Sequence, residues 1–130
     1  MNKKFLQWGA LLGALSVALG AFGAHGLKKI VPPETVATFE TGVRYQFYHA
    51  VAILLIGMLA EKFPGKSLRY AGNCMLAGIL LFSGSLYALT ALKATGDVGL
   101  GGLGLITPVG GLFFIAGWLL LLWTFFTKEQ

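Results

Sequence analysis

Four apolar runs, each close to the length of a bilayer crossing and together holding one charged residue, constrain this chain more than any other feature. A hydrocarbon core of about 30 Å takes roughly 20 helical residues. The runs lie at about 5–24, 41–60, 71–92 and 105–126, and charged residues close them: Lys3 and Lys4, Lys28 and Lys29, Glu61 and Lys62, Arg69, Lys93 and Lys128. Inside lipid every backbone N–H and C=O must be bonded within the segment, which leaves the helix as the spanning form for runs of this length. The chain is therefore expected to be all-α, an integral membrane bundle of four transmembrane helices forming one domain over residues 1–130.

Composition supports this and removes other classes. Of 130 residues, 56% are hydrophobic and only 12% are charged, against roughly 25% in soluble domains. One cysteine, Cys74, rules out an intramolecular disulfide framework, and ten scattered basic residues do not form a nucleic-acid surface. The first run, after Met1-Asn-Lys-Lys, has the outline of a signal peptide, but its apolar stretch is of full spanning length and is read as a retained helix.

With four spans, Lys3, Lys4, Lys62, Lys66, Arg69 and Lys128 share one side, while Lys28, Lys29, Arg44 and Lys93 lie toward the other. The positive-inside rule then puts both termini in the cytoplasm. Trp8, Tyr70 and Trp123 fall at that inner interface, and Tyr45 and Tyr48 toward the outer one.

The connection between the first two spans carries the most chemistry. Pro32 and Pro33 stop the first helix, and Val36, Phe39, Val43 and Phe47 then recur at helical spacing, predicting a short amphipathic interfacial segment before the second helix. Glu40 and Arg44 stand at i and i+4 on its polar face, with Tyr48 one turn on, and Gly42 is a point where the chain can bend. If the core begins near Thr41, Arg44 lies about 4–5 Å inside and His49 about 12 Å inside. An arginine at a helix centre costs about 2.5–3.5 kcal/mol, so Arg44 must snorkel or pair, with Glu40 as the expected partner.

His25, at the outer end of span one, and Ser83 and Tyr87, a turn apart on span three, reach comparable depth. With Glu40, Arg44, Gln46, Tyr48 and His49 they form a candidate polar cluster, for which a structural, hydrogen-bonded role is the default and an outward-facing cavity the sharper alternative. The small residues Gly9, Gly13, Ser16 and Gly20 on span one, and Gly110 and Gly117 on span four, are expected at close helix contacts. Thr107 followed by Pro108 suits an N-cap and first helical position.

Gly99-Leu-Gly-Gly-Leu-Gly104 matches G-x-G-x-x-G literally. It lacks a βαβ setting and a following acidic residue, and is read as a flexible outer connection, with a short re-entrant piece packed against the other spans as the alternative. No H-E-x-x-H, nucleophile elbow or paired intramembrane carboxylate is present, so no catalytic residue, metal or cofactor is assigned.

Several stretches resemble a known family of small four-helix membrane proteins, the transmembrane protein 256 family, also called domain of unknown function 423. They are Gly20-Ala-Phe-Gly-Ala-His25-Gly, Phe39-Glu-Thr-Gly-Val-Arg44-Tyr-Gln-Phe-Tyr-His49-Ala, Leu81-Phe-Ser-Gly-Ser-Leu-Tyr87 and Ile106-Thr-Pro-Val-Gly-Gly, spread along a resemblance that covers nearly the whole chain. The resemblance implies a bacterial cytoplasmic (inner) membrane protein with four spans and brings no reaction or substrate with it. The sequence is thus expected to describe a non-enzymatic structural or interaction protein whose partners are membrane lipids, further copies of itself or another membrane protein. The alternative is a small transporter or channel subunit around Arg44 and His49.

Overall fold

The computed structural model describes residues 1–96 and 102–126. Among them there are only helices and turns: α1 (Lys3–Ala24), a single 3-10 turn (Leu27–Lys29), α2 (Pro33–Leu59), α3 (Lys66–Gly78), a π turn (Ile79–Ser83), α4 (Gly84–Ala94) and α5 (Leu103–Phe126). Four stretches are long and apolar enough to cross a membrane, the third being Lys66–Ala94, in which α3, the π turn and α4 run on from one another.

Local chemistry explains the boundaries. The Asn2 side chain accepts from the Phe5 amide at 3.2 Å and caps α1. Pro32, extended at ψ 161°, and Pro33 at the first helical position start α2, and Glu34 sits favourably in its first turn. Gly96, at φ +87°, follows the end of α4 where a left-handed residue turns the chain and its amide bonds the Lys93 carbonyl.

The spans pack in a chain of neighbours. α1 rests on α2, α2 also meets α3 and α4, and α5 lies against α3 and the π turn. α2 and the third span thus form the centre and α1 and α5 flank them. Near the termini, Phe5, Ile53, Ile56, Leu68, Met75 and Phe114 make the main core; at the far end Leu27, Val31, Val36 and Phe39 make a smaller one. Leu80, Leu112, Leu119 and Phe126 point outward, as lipid-facing side chains do.

Several expectations are corrected. The amphipathic segment runs into span two as one helix, and α2 passes unbroken through Gly42, which serves a close helix contact in place of a break: an added Cβ would lie 3.0 Å from Tyr87 Cε1. Pro108 is inside α5 and does not open it; the helix begins a turn and a half earlier and forgoes one amide donor. The small-residue stripe of α1 is only partly used. Gly9 would press a Cβ to 2.8 Å from Leu54 and Ser16 is buried, whereas Gly20 has ordinary space and Gly13 meets nothing within 4 Å. Gly110 and Gly117 do sit at tight contacts, against the Phe82 backbone and against Met75 and Ala71 respectively. Of the glycine-rich connection, 97–101 lies outside the described residues, and Gly104 is already helical.

A closed polar layer as the candidate functional site

Gly42, Gln46 and His49 follow one another at helical spacing on the buried side of α2 and between them meet α1, the third span and α5. Gln46, only 3% exposed, bridges helices: its Nε2 donates to the Leu12 carbonyl of α1 at 2.9 Å, and its Oε1 accepts from the Tyr87 hydroxyl of α4 at 2.6 Å. A carbonyl on one side and a phenol on the other orient the amide in a single sense. Ser83, fully buried in the π turn, donates to the Gly42 carbonyl at 2.6 Å. The π turn places Ser83 Oγ against α2 while Ser85, two residues on, meets Thr107 of α5, so one irregular turn ties the third span to both its neighbours.

His49 is bonded at both ring nitrogens. Nδ1 is 2.6 Å from the Tyr45 carbonyl and Nε2 is 3.0 Å from Trp118 Nε1. A carbonyl only accepts and an indole N–H only donates, so this geometry requires the neutral ring with its proton on Nδ1. The ring also stacks on Phe114, centroids 3.6 Å apart and planes 9° from parallel, and Tyr45 packs on Phe82 at 4.8 Å. Among the described residues every buried side-chain polar atom has a partner.

The structure therefore divides the cluster expected from sequence. Gln46, Ser83 and Tyr87 come together, and His49 sits one turn below Gln46 in the same face. His25, exposed at the end of α1, bonds only the Ala21 carbonyl at 3.1 Å and shares no partner with His49. Arg44 and Tyr48 are exposed on the opposite side of α2. The expected Glu40–Arg44 ion pair is absent: among the described residues no ion pair involves either, and Arg44 donates to Thr41 Oγ1 at 3.4 Å. Nor do any three His, Cys, Asp or Glu side chains of the described residues gather as a metal site would need.

Leu12, Trp118 and Phe114 were not among the sequence candidates. A backbone carbonyl leaves no mark in a sequence. Phe114 and Trp118 did: they continue from Gly110 in steps of four, so the helix face marked by the glycine also carries the aromatic partners of His49.

Comparison with known proteins accords with this description. Residues 19–111 match the protein family of unknown function DUF423. The UPF0382 membrane protein YwdK of Bacillus subtilis is 43% identical over 92% of this chain and 93% of its own length. The UPF0382 membrane protein SH2409 of Staphylococcus haemolyticus is 41% identical with the same coverage, and that of Haemophilus influenzae is 41% identical over 100% of this chain and 99% of its own. No solved structure matches. A family match over most of the chain, relatives at this identity over nearly full length and four membrane-crossing helices agree that the chain is a membrane protein of the DUF423 family.

Proposed function

We propose that this protein works without catalysis, as a multi-pass protein of the bacterial cytoplasmic membrane that acts by association with lipids, with further copies of itself or with other membrane proteins. One observation carries the reading: the interior polar groups are used up on one another. Gln46, Ser83, Tyr87 and His49 each bond a neighbouring helix or their own, while Arg44 and His25 point outward. A conducting path needs polar groups or water along its length, and these groups instead close the seams between helices. The flanking helices α1 and α5 also leave broad apolar faces free. An apolar groove of about 370 Å³ opens between Trp8 and Leu12 of α1 and Leu76, Ile79 and Leu80 of the third span, with Lys4 at its end.

For topology, the six-to-four distribution of basic residues supports cytoplasmic termini. A reporter fused at Gln130 that is active only in the cytoplasm tests it; activity only outside reverses the assignment.

Proton and ion flux across proteoliposomes tests the non-transport reading. Flux equal to that of empty liposomes, and unchanged in His49→Ala, is expected. A gradient-driven leak abolished by Arg44→Ala or His49→Ala would establish the transporter alternative in its place.

A further inference from the structure

At the end of the bundle away from the termini, the 3-10 turn and the first two turns of α2 frame an open-sided cavity of about 390 Å³ lined by Lys28, Val31, Pro33, Val36, Ala37 and Glu40. Its floor is firm, since Val31 and Val36 are buried with Leu27 and Phe39 in the smaller core. Gly23 of α1 allows Phe39 and the Glu40 stem to come close, 3.1 and 3.9 Å from an added Cβ. Lys28 and Glu40 share the wall without an ion pair to each other or to any described residue. Arg44 follows Glu40 one turn further toward the hydrocarbon, exposed and without a carboxylate. Below it Tyr48, Val51 and Leu55 continue the same exposed face.

From this order of charges we infer that the face binds a phospholipid carrying a primary ammonium. The sequence along the helix is carboxylate outside, guanidinium inside, about 6 Å apart by four residues of helical rise. A phospholipid anchored by its acyl chains presents its charges in the complementary order, phosphodiester inside and ammonium outside. Arg44 takes the phosphate in the forked geometry guanidinium suits, Glu40 takes the ammonium, the cavity receives the headgroup end, and an acyl chain lies along Tyr48, Val51 and Leu55. A phosphoglycerol headgroup has the same anion for Arg44 but meets Glu40 with neutral hydroxyls in place of a cation, a weaker answer to the carboxylate than the charge-assisted bond from an ammonium. The site names the lipid for the association proposed above, and its test reads lipid retention, so it stands or falls separately from the flux assay.

The full-length protein is equilibrated with vesicles of equal phosphatidylethanolamine and phosphatidylglycerol, extracted in mild detergent and weighed with its bound lipid by native mass spectrometry. Wild type is expected to retain the ethanolamine lipid over the glycerol lipid by about fivefold, a preference of the size one partly exposed ion pair supplies. Glu40→Gln should bring the two to near parity, Arg44→Gln should lower retention of both, and Lys93→Gln, at the same end outside the cavity, should change neither. Equal retention by wild type overturns the proposal and requires no variant to fold. A preference that survives Glu40→Gln, or occupancy by soluble phosphoethanolamine without lipid, overturns it as well.

Discussion

Gly110→Ala and Gly13→Ala are the same chemical change in the interiors of two spanning helices, and the structure assigns them opposite signs. At Gly110 a new Cβ would lie 2.7 Å from Phe82 Cα and 2.8 Å from the Leu81 carbonyl carbon. These are backbone atoms of the third span and no rotamer change moves them. Optimal carbon contacts are about 3.5–4.0 Å, so α5 must withdraw by roughly 1 Å, enough to forfeit a quarter to a half of each contact it makes there. Overpacking of this kind costs about 1–3 kcal/mol, and a strained Ser85–Thr107 bond adds on the order of 0.6 kcal/mol, the membrane average. Alanine recovers about 1 kcal/mol of helix propensity, leaving roughly 1–2 kcal/mol of net destabilisation. At Gly13 nothing lies within 4 Å, so only the propensity gain remains, up to about 1 kcal/mol in favour. The two variants should differ by roughly 2–3 kcal/mol in SDS-driven unfolding of the detergent-solubilised protein, read by helical circular dichroism. Equal shifts, or destabilisation by Gly13→Ala as large as by Gly110→Ala, would refute the assignment of α5 to the Phe82 backbone and of Gly13 to an open face.

Other consequences follow from the polar layer and the chain ends. Trp118→Phe keeps a ring near His49 but removes the donor to Nε2, and should destabilise by about 0.6–1.7 kcal/mol in the same unfolding assay, with the imidazole nitrogen shift of His49 moving in NMR. Tyr87→Phe orphans Gln46 Oε1, so Tyr87→Phe and Gln46→Leu should combine non-additively; strict additivity would show that the 2.6 Å bond is not made. The Met1 amino group bonds Glu61, and that bond together with its charge holds the Glu61 carboxyl below the usual carboxylate range. Because the folded pKa is depressed, the stabilisation is present above the ordinary value of about 4.3 and is lost as pH falls through the lower folded value. Glu61→Gln should flatten this acid limb slightly, an effect salt suppresses because both groups are exposed; a steeper limb in the variant would reverse the sign.

What the sequence made legible was whatever depends on one segment at a time. Span lengths, the start of α2 at Pro32-Pro33 and the close contacts at Gly9, Gly110 and Gly117 are local consequences of hydrophobic runs, ring geometry and missing side chains. Pro108 was misplaced for an equally physical reason. A proline at the first helical position and one a few residues in look alike in sequence, and Thr107, which resembles a cap, spends its hydroxyl on Ser85 across the helix interface. Of the partners of Gln46 and His49, Tyr87 stood in the expected cluster, whereas Leu12 acts through a backbone carbonyl and Trp118, 69 positions from His49, was marked only by its spacing from Gly110.

Glu40 and Arg44 show how far spacing alone carries. Their i, i+4 order is the favourable one, worth a few tenths of a kcal/mol on an exposed helix in water, and it predicts a pair. Here the two groups stand at different depths. Glu40 lines the cavity beside the 3-10 turn, while Arg44, one turn further along α2, bonds a threonine hydroxyl. Pulling Arg44 up to Glu40 would gain one partly hydrated ion pair, and leaving it extended keeps its guanidinium available to the lipid phosphates that line that depth, a charge-assisted contact of at least equal strength. In the lipid-binding reading, the same two residues that would pair with each other on a soluble helix each answer a different charge of the headgroup. Their separation turns a routine helix pair into a patch with a defined inside cation and outside anion.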